Sequence, residues 1–266
     1  MEPILFKIGS FPIYSYGLMV AAGFIAAVNF AINQLNYIKK GESPLTKDDL
    51  ITLGITLLVG GVIGSRTLFV VQYWKHFQKN IFEIINITQG GLSINGGIIA
   101  SLIIVFIFCR IKKISFLWLM DLIAPAIILG YAFGRLGCFL NGCCYGYVTN
   151  YPWGVPFHWD PVHYRVPTQL YATFINALNV IILIYFRPRL KFQGQLFSIG
   201  LMLYGTYRFI IEFFRDNPYY IWKLTLAQHV AVALFCAGII LFLTVRIFKI
   251  TRTGIPKLEN KKVTNT

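Results

Sequence analysis

Charge is scarce in this chain, and acid scarcer still. Of 266 residues only 13% are charged, with 10 Asp and Glu against 24 Lys and Arg, while 56% are hydrophobic. Too little polar surface is left to cover an aqueous globular domain, so that class is excluded. The first apolar run has no basic segment ahead of it and no small-residue cleavage site behind it, and it reads as a retained helix rather than a removed signal peptide. No pair of interrupted apolar segments recurs in the two halves, which argues against an anion transporter built from repeats. The five cysteines, an odd number, contain no C-x2-C pair, which argues against a zinc site and against the usual dithiol redox motif.

What the chain has in abundance is apolar sequence. A helix needs about 20 apolar residues to cross the hydrocarbon layer, and runs of that kind appear near 14–35, 50–72, 93–110, 115–137, 169–186, 195–215 and 225–248. The expected fold is therefore all-α, a polytopic membrane protein with seven transmembrane helices. Lys39, Lys40 and Lys47, then Arg110, Lys112 and Lys113, then Arg187, Arg189 and Lys191, then the basic residues from Arg246 onward fall in alternate connections and at the end. Basic loops stay cytoplasmic, which puts the N-terminus outside and the C-terminus inside. The expected organisation is a seven-helix domain over 1–250 with an outer cap at about 138–168, followed by a basic cytoplasmic tail over 251–266. Much of the net charge of +14 is then an orientation signal that suits an anionic inner leaflet, and nucleic acid is an unnecessary partner.

Orientation leaves Arg66, Arg135, Arg165, Arg208 and Arg215 unexplained, because all five fall toward the outer side. At about 1.5 Å per residue, Arg66 stands roughly 24 Å up the second span, Arg135 roughly 28 Å up the fourth and Arg208 roughly 20 Å up the sixth. A central membrane arginine costs on the order of 2.5–3.5 kcal/mol, so each needs a partner or a path to the headgroups. In "YGTYRFIIEFFRDNP" the spacing of Arg208, Glu212 and Arg215 stacks them on one helix face, with Tyr204 one turn below. Two arginines sharing one acid suit a buried anion; an internal salt bridge between helices is the plainer alternative.

Glycine marks the remaining candidates. In "GGVIGSR", Gly60 and Gly64 allow close helix packing ahead of Arg66. In "QGGLSINGG", from Gln89 to Gly97, two glycine pairs enclose Ser93 and Asn95, an arrangement that exposes amides to an anion or makes an ordinary turn. In "GRLGCFLNGCCYG", Gly134, Gly137 and Gly142 end the fourth span beside Arg135, whose guanidinium can grip two phosphate oxygens. Cys138, Cys143 and Cys144 fall on the outer side of the membrane, with His158 and His163 in the following loop; cap packing or a disulfide is the favoured role. Cys109 and Cys236 read as apolar fillers. No metal and no cofactor is expected.

Taken together, these motifs resemble the bacterial prolipoprotein diacylglyceryl transferases. "YGLM" from Tyr16, "GGVIGSR", "GGLSINGG", "GRLGCFLNG", "PTQLY" from Pro167, "YRFIIEFFR" from Tyr207 and "LTLAQ" before the last span follow the family's order over nearly the whole chain. The resemblance implies transfer of the diacylglyceryl group of phosphatidylglycerol to the lipobox cysteine of a prolipoprotein, with release of glycerol 1-phosphate. It implies membrane lipids as surroundings, the bacterial inner membrane as location, and a site facing the outer leaflet. On that resemblance the catalytic candidates are Arg135, Arg208, Glu212, Asn95 and Tyr16. The candidates for binding phosphatidylglycerol are Arg135, Arg66, Arg208, Arg215, Ser93, Gly97, Gly137 and Asn141. Three departures stand out. Asn95 holds the position of a family His; Cys138 and Cys143 stand where Asn and Glu are usual; and Val166, Thr168 and Ala172 replace His, Ser and Glu. His229 is the alternative titrating group. A relative with another acceptor, a protein that only binds anionic lipid, and a thiol-redox membrane enzyme are the other readings.

Overall fold

A computed structural model describes residues 4–8, 11–36, 38, 43–78, 80–86, 90–215, 217 and 223–249. Lys39, Lys40, Gln89 and the tail over 251–266 lie outside the described residues. Helices dominate, and the chain forms two compact units, one of residues 43–119 and one of residues 1–42 with 120–266.

The 43–119 unit is built on α2 (Lys47–Gln72) and α4 (Ile94–Lys112), joined through the single-turn α3 (Trp74–Phe77) and a 3-10 turn at Ile81–Ile84. Thr46 opens α2 with a reciprocal capping box to Asp49, whose carboxylate also pairs with Lys112 at the far end of α4. Small residues let the two helices cross closely. A Cβ on Gly64 would stand 2.8 Å from the Gly96 carbonyl oxygen, and one on Gly97 would stand 2.6 Å from Ser65 Oγ. The packing expected of Gly64 is thus present, and Gly97 joins it.

In the other unit, antiparallel β1 (Ile4–Ile8) and β2 (Phe11–Tyr14) lead into α1 (Ser15–Asn36). Next comes α5 (Phe116–Leu140), most of which lies in this unit, then the hairpin β3 (Val155–Phe157) and β4 (Asp160–Arg165), then α6 (Thr168–Phe186), α7 (Gln195–Glu212) and α8 (Leu226–Ile247). Asp121 on α5 accepts the amide hydrogens of Gly194 and Phe197, both at 2.8 Å. That carboxylate neutralises the exposed amides at the start of α7 and fixes α7 against α5. Close approach of α7 and α8 uses Gly205 and Gly238, where a Cβ would fall 2.7 Å from Ala231 O and 2.8 Å from Ser198 O.

Six helices among the described residues are long and apolar enough to cross a membrane: Ser15–Leu35, Lys47–Gln72, Ile94–Lys112, Phe116–Leu140, Thr168–Arg189 and Leu226–Ile247. They expose large apolar side chains such as Ile98, Ile103, Phe174, Ile181 and Ile240, a surface that suits lipid and not water. The chain is a multi-pass membrane protein. The seventh expected run, 195–215, does form a helix, α7, but it is not among the six. Gln195, Tyr204, Tyr207, Arg208 and Glu212 dilute its apolar character. Within its unit, α7 buries three of these positions, Gln195, Tyr207 and Glu212, while Tyr204 and Arg208 are partly buried.

Candidate functional site

The site candidates of the larger unit converge on the ends of α1, α5, α7 and α8. Arg135 lies one turn after Tyr131 on α5 and donates to its hydroxyl through both Nε, at 2.7 Å, and Nη2. The guanidinium also stands over the Tyr131 ring, 4.9 Å from its centre. From α7, Tyr204 and Tyr207 pack on Tyr131 at 5.4 and 6.2 Å between ring centres. The Tyr131 and Tyr207 hydroxyls lie 3.5 Å apart. A tyrosine cluster therefore links Arg135 on α5 to α7, the helix that carries Arg208. Neither Tyr131 nor Tyr207 was a sequence candidate, although Tyr131 sits four residues before Arg135 and so shares its helix face.

Arg208 Nη1 donates to Glu212 Oε2 at 2.6 Å, as the i, i+4 spacing leads one to expect. Glu212 is 3% exposed and is held from two further directions, by Thr225 Oγ1 at 3.0 Å and by Asn217 Nδ2. Thr225 is in turn the N-cap of α8, in a capping box with Gln228. Its carbonyl lies 2.9 Å from His229 Nδ1. The expectation that Arg215 shares the helix face of Arg208 and Glu212 is corrected, because α7 stops at Glu212. Arg215 instead pairs in extended geometry with Gly146. Its Nε is buried with no hydrogen-bond partner among the described residues.

A second correction concerns where α5 ends. Gly134 and Gly137 lie inside the helix, which runs to Leu140, and it is Gly142, at φ +70°, that turns the chain. Gly137 has another use: Tyr16 and Met19 of α1 rest on it, and a Cβ there would meet Met19 Cβ at 3.0 Å and Tyr16 Cδ2 at 3.2 Å. This contact brings Tyr16 near Arg135, Cys138, Cys143 and Cys144. Asn141 follows directly, its amide bonded to the Gly137 carbonyl at 2.9 Å and its side chain reaching Cys143.

After the turn the loop is pinned to the start of α6. Thr168 Oγ1 donates to Cys144 O at 2.9 Å, and Gln169 Nε2 donates to Cys143 O at 2.6 Å. The Cys138, Cys143 and Cys144 sulfurs all lie within 4.8 Å of one another. Contacts from the Cys138 and Cys143 thiols, then the charges of Arg215 and Arg135, hold the Cys144 thiol well below its ordinary range despite partial burial. Farther along, His163 Nδ1 lies 2.8 Å from Asp160 Oδ1, and with Arg165 it keeps that carboxyl below the usual range. Arg165 is placed over the Tyr145 and Trp159 rings at 4.7 and 5.2 Å, so its charge is accounted for within the loop.

The 43–119 unit carries Arg66, Ser93, Asn95 and Gly97. Gly90 and Gly91 adopt positive φ, +88° and +76°, as the glycine pair suggests, but the polarity of the loop is the reverse of an anion receptor. Carbonyl groups face Arg66. Its Nε donates to Ile84 O at 2.9 Å, Nη1 to Gly90 O at 3.1 Å and Gly91 O at 3.0 Å, and Nη2 to Glu83 O at 2.5 Å and Asn86 O at 2.8 Å. A guanidinium has five N–H donors, and all five are used. Arg66 therefore organises the loop, beside a cavity of about 360 Å³ lined by Phe69, Tyr73, His76 and Phe77, and has no donor left for a phosphate. Ser93 is the N-cap of α4 without a side-chain cap bond, and Asn95 is exposed in the first turn. Arg66→Lys keeps the charge but at most three donors. We expect faster amide exchange over residues 81–86 and at Gly90 and Gly91 and a lower melting temperature, checked by hydrogen-exchange mass spectrometry; unchanged protection would remove Arg66 from this role.

Sequence comparison decides between the readings of such a site. The family described as "Prolipoprotein diacylglyceryl transferase" matches residues 3–244. The chain belongs to this family. Phosphatidylglycerol–prolipoprotein diacylglyceryl transferases similar to it include that of Finegoldia magna, 36% identical over 91% of this chain and 94% of its own. That of Clostridium tetani is 33% identical over 91% of this chain and 97% of its own, and that of Clostridium kluyveri 37% identical over 87% and 91%. In a transferase of this family, a cluster of guanidiniums with few carboxylates has a plain use, since the donor lipid brings a phosphate.

Proposed function

We propose that the chain catalyses the reaction for which its family and relatives are named, with phosphatidylglycerol as donor and a prolipoprotein as acceptor. The thiol of the lipobox cysteine attacks the glyceryl carbon bearing the phosphate. A carbon–sulfur bond forms, the carbon–oxygen bond breaks, the thiol proton leaves to a base or solvent, and glycerol 1-phosphate departs with the bonding electrons. The observation that carries the assignment of roles is the buried Nε of Arg215, which has no hydrogen-bond partner among the described residues. An unsatisfied buried donor on a cation is costly unless a ligand completes it. Arg135, with Nε and Nη2 committed to Tyr131, retains Nη1, and Arg208 is aimed by Glu212. These three guanidiniums bind the phosphate and stabilise the charge that grows on the leaving group. Tyr16, Gly137 and Asn141 line the approach at the junction of α1 and α5.

On this reading α7 is the seventh span, the N-terminus is outside, and the C-terminus is cytoplasmic. The segment at about 138–168 caps the outer face of a 1–250 membrane domain, and 251–266 is a basic tail. The protein then resides in the bacterial inner membrane with its site toward the outer leaflet, where donor lipid and secreted lipobox peptide meet. Complementation of a strain depleted of its own transferase tests this. Growth is expected, and failure despite verified membrane insertion would contradict the assignment.

Asn95 occupies the position of the family's His and cannot titrate near neutrality. If it only hydrogen-bonds, Asn95→Ala lowers transfer while Asn95→His preserves it. In Asn95→His the rate should rise with pH through about 6.5, because an imidazole accepts a proton only when neutral. Labelled-lipid transfer measured from about pH 6 to 9 checks this; equal rates in Asn95→Ala and the unaltered protein would take residue 95 out of the reaction centre.

A further inference from the structure

In the proposed transfer the nucleophilic thiol comes from the acceptor, so Cys138, Cys143 and Cys144 are open to another use. We propose that Cys138, Cys143 and Cys144 form a binding site for a thiophilic divalent cation, Zn²⁺, held by three thiolates. Their sulfurs lie within 4.8 Å of one another. Tetrahedral zinc at about 2.3 Å from sulfur sets its ligands about 3.8 Å apart. Closing the site therefore takes a contraction of about 1 Å at most, within reach of side-chain rotation. The spacing C-x4-C-C lacks the paired pattern of common zinc sites, which is why it reads poorly in sequence. Geometry supplies what the spacing does not. Two left-handed residues, Gly142 at φ +70° and Cys144 at φ +63°, flank Cys143 and turn the chain back on Cys138. The Cys143 amide bonds the Cys138 carbonyl at 3.1 Å, closing the turn.

The surroundings resemble those that support metal ligands. Thr168 and Gln169, both buried at the start of α6, hold the Cys144 and Cys143 carbonyls and so fix the backbone that carries both thiols. All three cysteines are partly exposed, which leaves an entry path. The fourth position falls to solvent or to the imidazole of His158, which stands against Gly142. Charge is also compensated. A zinc ion with three thiolates carries one negative charge, and Arg215 and Arg135 both act on Cys144. Three sulfurs select a soft cation; Mg²⁺ and Ca²⁺ require oxygen ligands. On binding, zinc replaces the remaining thiol protons, which pass to solvent. The clamp ties the end of α5, with Arg135, to the loop whose Gly146 pairs with Arg215. It thereby holds two phosphate-binding guanidiniums in one frame.

The test uses the full-length protein, purified in detergent under reducing, anaerobic conditions, stripped with chelator and titrated with Zn²⁺. We expect one zinc per chain, protection of three thiols from maleimide, and a zinc-edge absorption spectrum showing about three sulfurs at about 2.3 Å. Cobalt in place of zinc should give a sulfur-to-metal charge-transfer band. Cys143→Ser and Cys144→Ser should each weaken zinc binding at least about a hundredfold, since loss of even an outer partner costs about ten- to a hundredfold. Cys236→Ser should leave it unchanged. If the serine variants fail to fold, the absorption spectrum of the unaltered protein decides alone. Absence of stoichiometric zinc, a spectrum of nitrogen and oxygen only, or recovery of the outer cysteines as a disulfide under these conditions would each overturn the proposal.

Discussion

Arg135→Ala is expected to lower diacylglyceryl transfer about a hundredfold or more, the usual loss when one preorganised donor to a developing anion is removed. Arg135→Lys should lose at least about tenfold, or roughly 1.4 kcal/mol of transition-state stabilisation. The difference follows from geometry. The guanidinium is aimed by donating twice to the Tyr131 hydroxyl while lying over that ring at 4.9 Å, and an ammonium point charge can reproduce neither the fork nor the stacking. Tyr131→Phe separates aim from charge. It removes the acceptor and keeps the ring, and should raise the donor KM or lower the rate by less than Arg135→Ala does. Steady-state kinetics on vesicles of defined phosphatidylglycerol content distinguishes these outcomes; normal turnover in Arg135→Lys would remove this residue from phosphate binding.

Glu212→Ala is expected to be the most damaging single change to the folded state. The carboxylate is buried and satisfied by Arg208, Thr225 and Asn217, so its removal strands a guanidinium inside the protein. Breaking one side of a buried pair costs about 3–5 kcal/mol. Thr225 caps α8, so the damage reaches the α7–α8 packing as well as Arg208. A fall in melting temperature in detergent and loss of transfer should appear together. Glu212→Gln keeps the hydrogen-bonding shape without the charge; it should recover much of the stability but little of the transfer. If Glu212→Gln were fully active, the carboxylate would be a structural lock and no more.

Helix positions were legible in the sequence wherever apolar length alone decides them, and six of the expected runs became spans of that kind. The seventh, α7, shows the limit of that reasoning, because polar residues such as Gln195, Tyr207 and Glu212 are buried within the protein. The pairing of Arg208 with Glu212 could be read from the i, i+4 spacing because both lie on one helix. Arg215, three residues farther, could not, since the helix stops first. Arg66 shows a different gap. An arginine next to a glycine-rich loop suggests an anion site, but whether such a loop turns its amides or its carbonyls inward depends on backbone torsions that composition does not encode. Gly90 and Gly91 turn carbonyls toward it. The convergence of Cys138, Cys143 and Cys144 was hidden for a similar reason, since contacts across an irregular turn have no periodicity to betray them, whereas Tyr131, four residues before Arg135 on α5, carried a spacing that could have been read.

The central claim is tested most directly by reconstituting the purified chain in vesicles of phosphatidylglycerol labelled separately in its acyl chains and its headgroup, with a synthetic lipobox peptide as acceptor. The account predicts a peptide whose cysteine gains one diacylglyceryl group by mass, with equimolar release of labelled glycerol phosphate and no product when that cysteine is replaced by serine. Folded, inserted protein that leaves the peptide unmodified and the headgroup label in the membrane would contradict it.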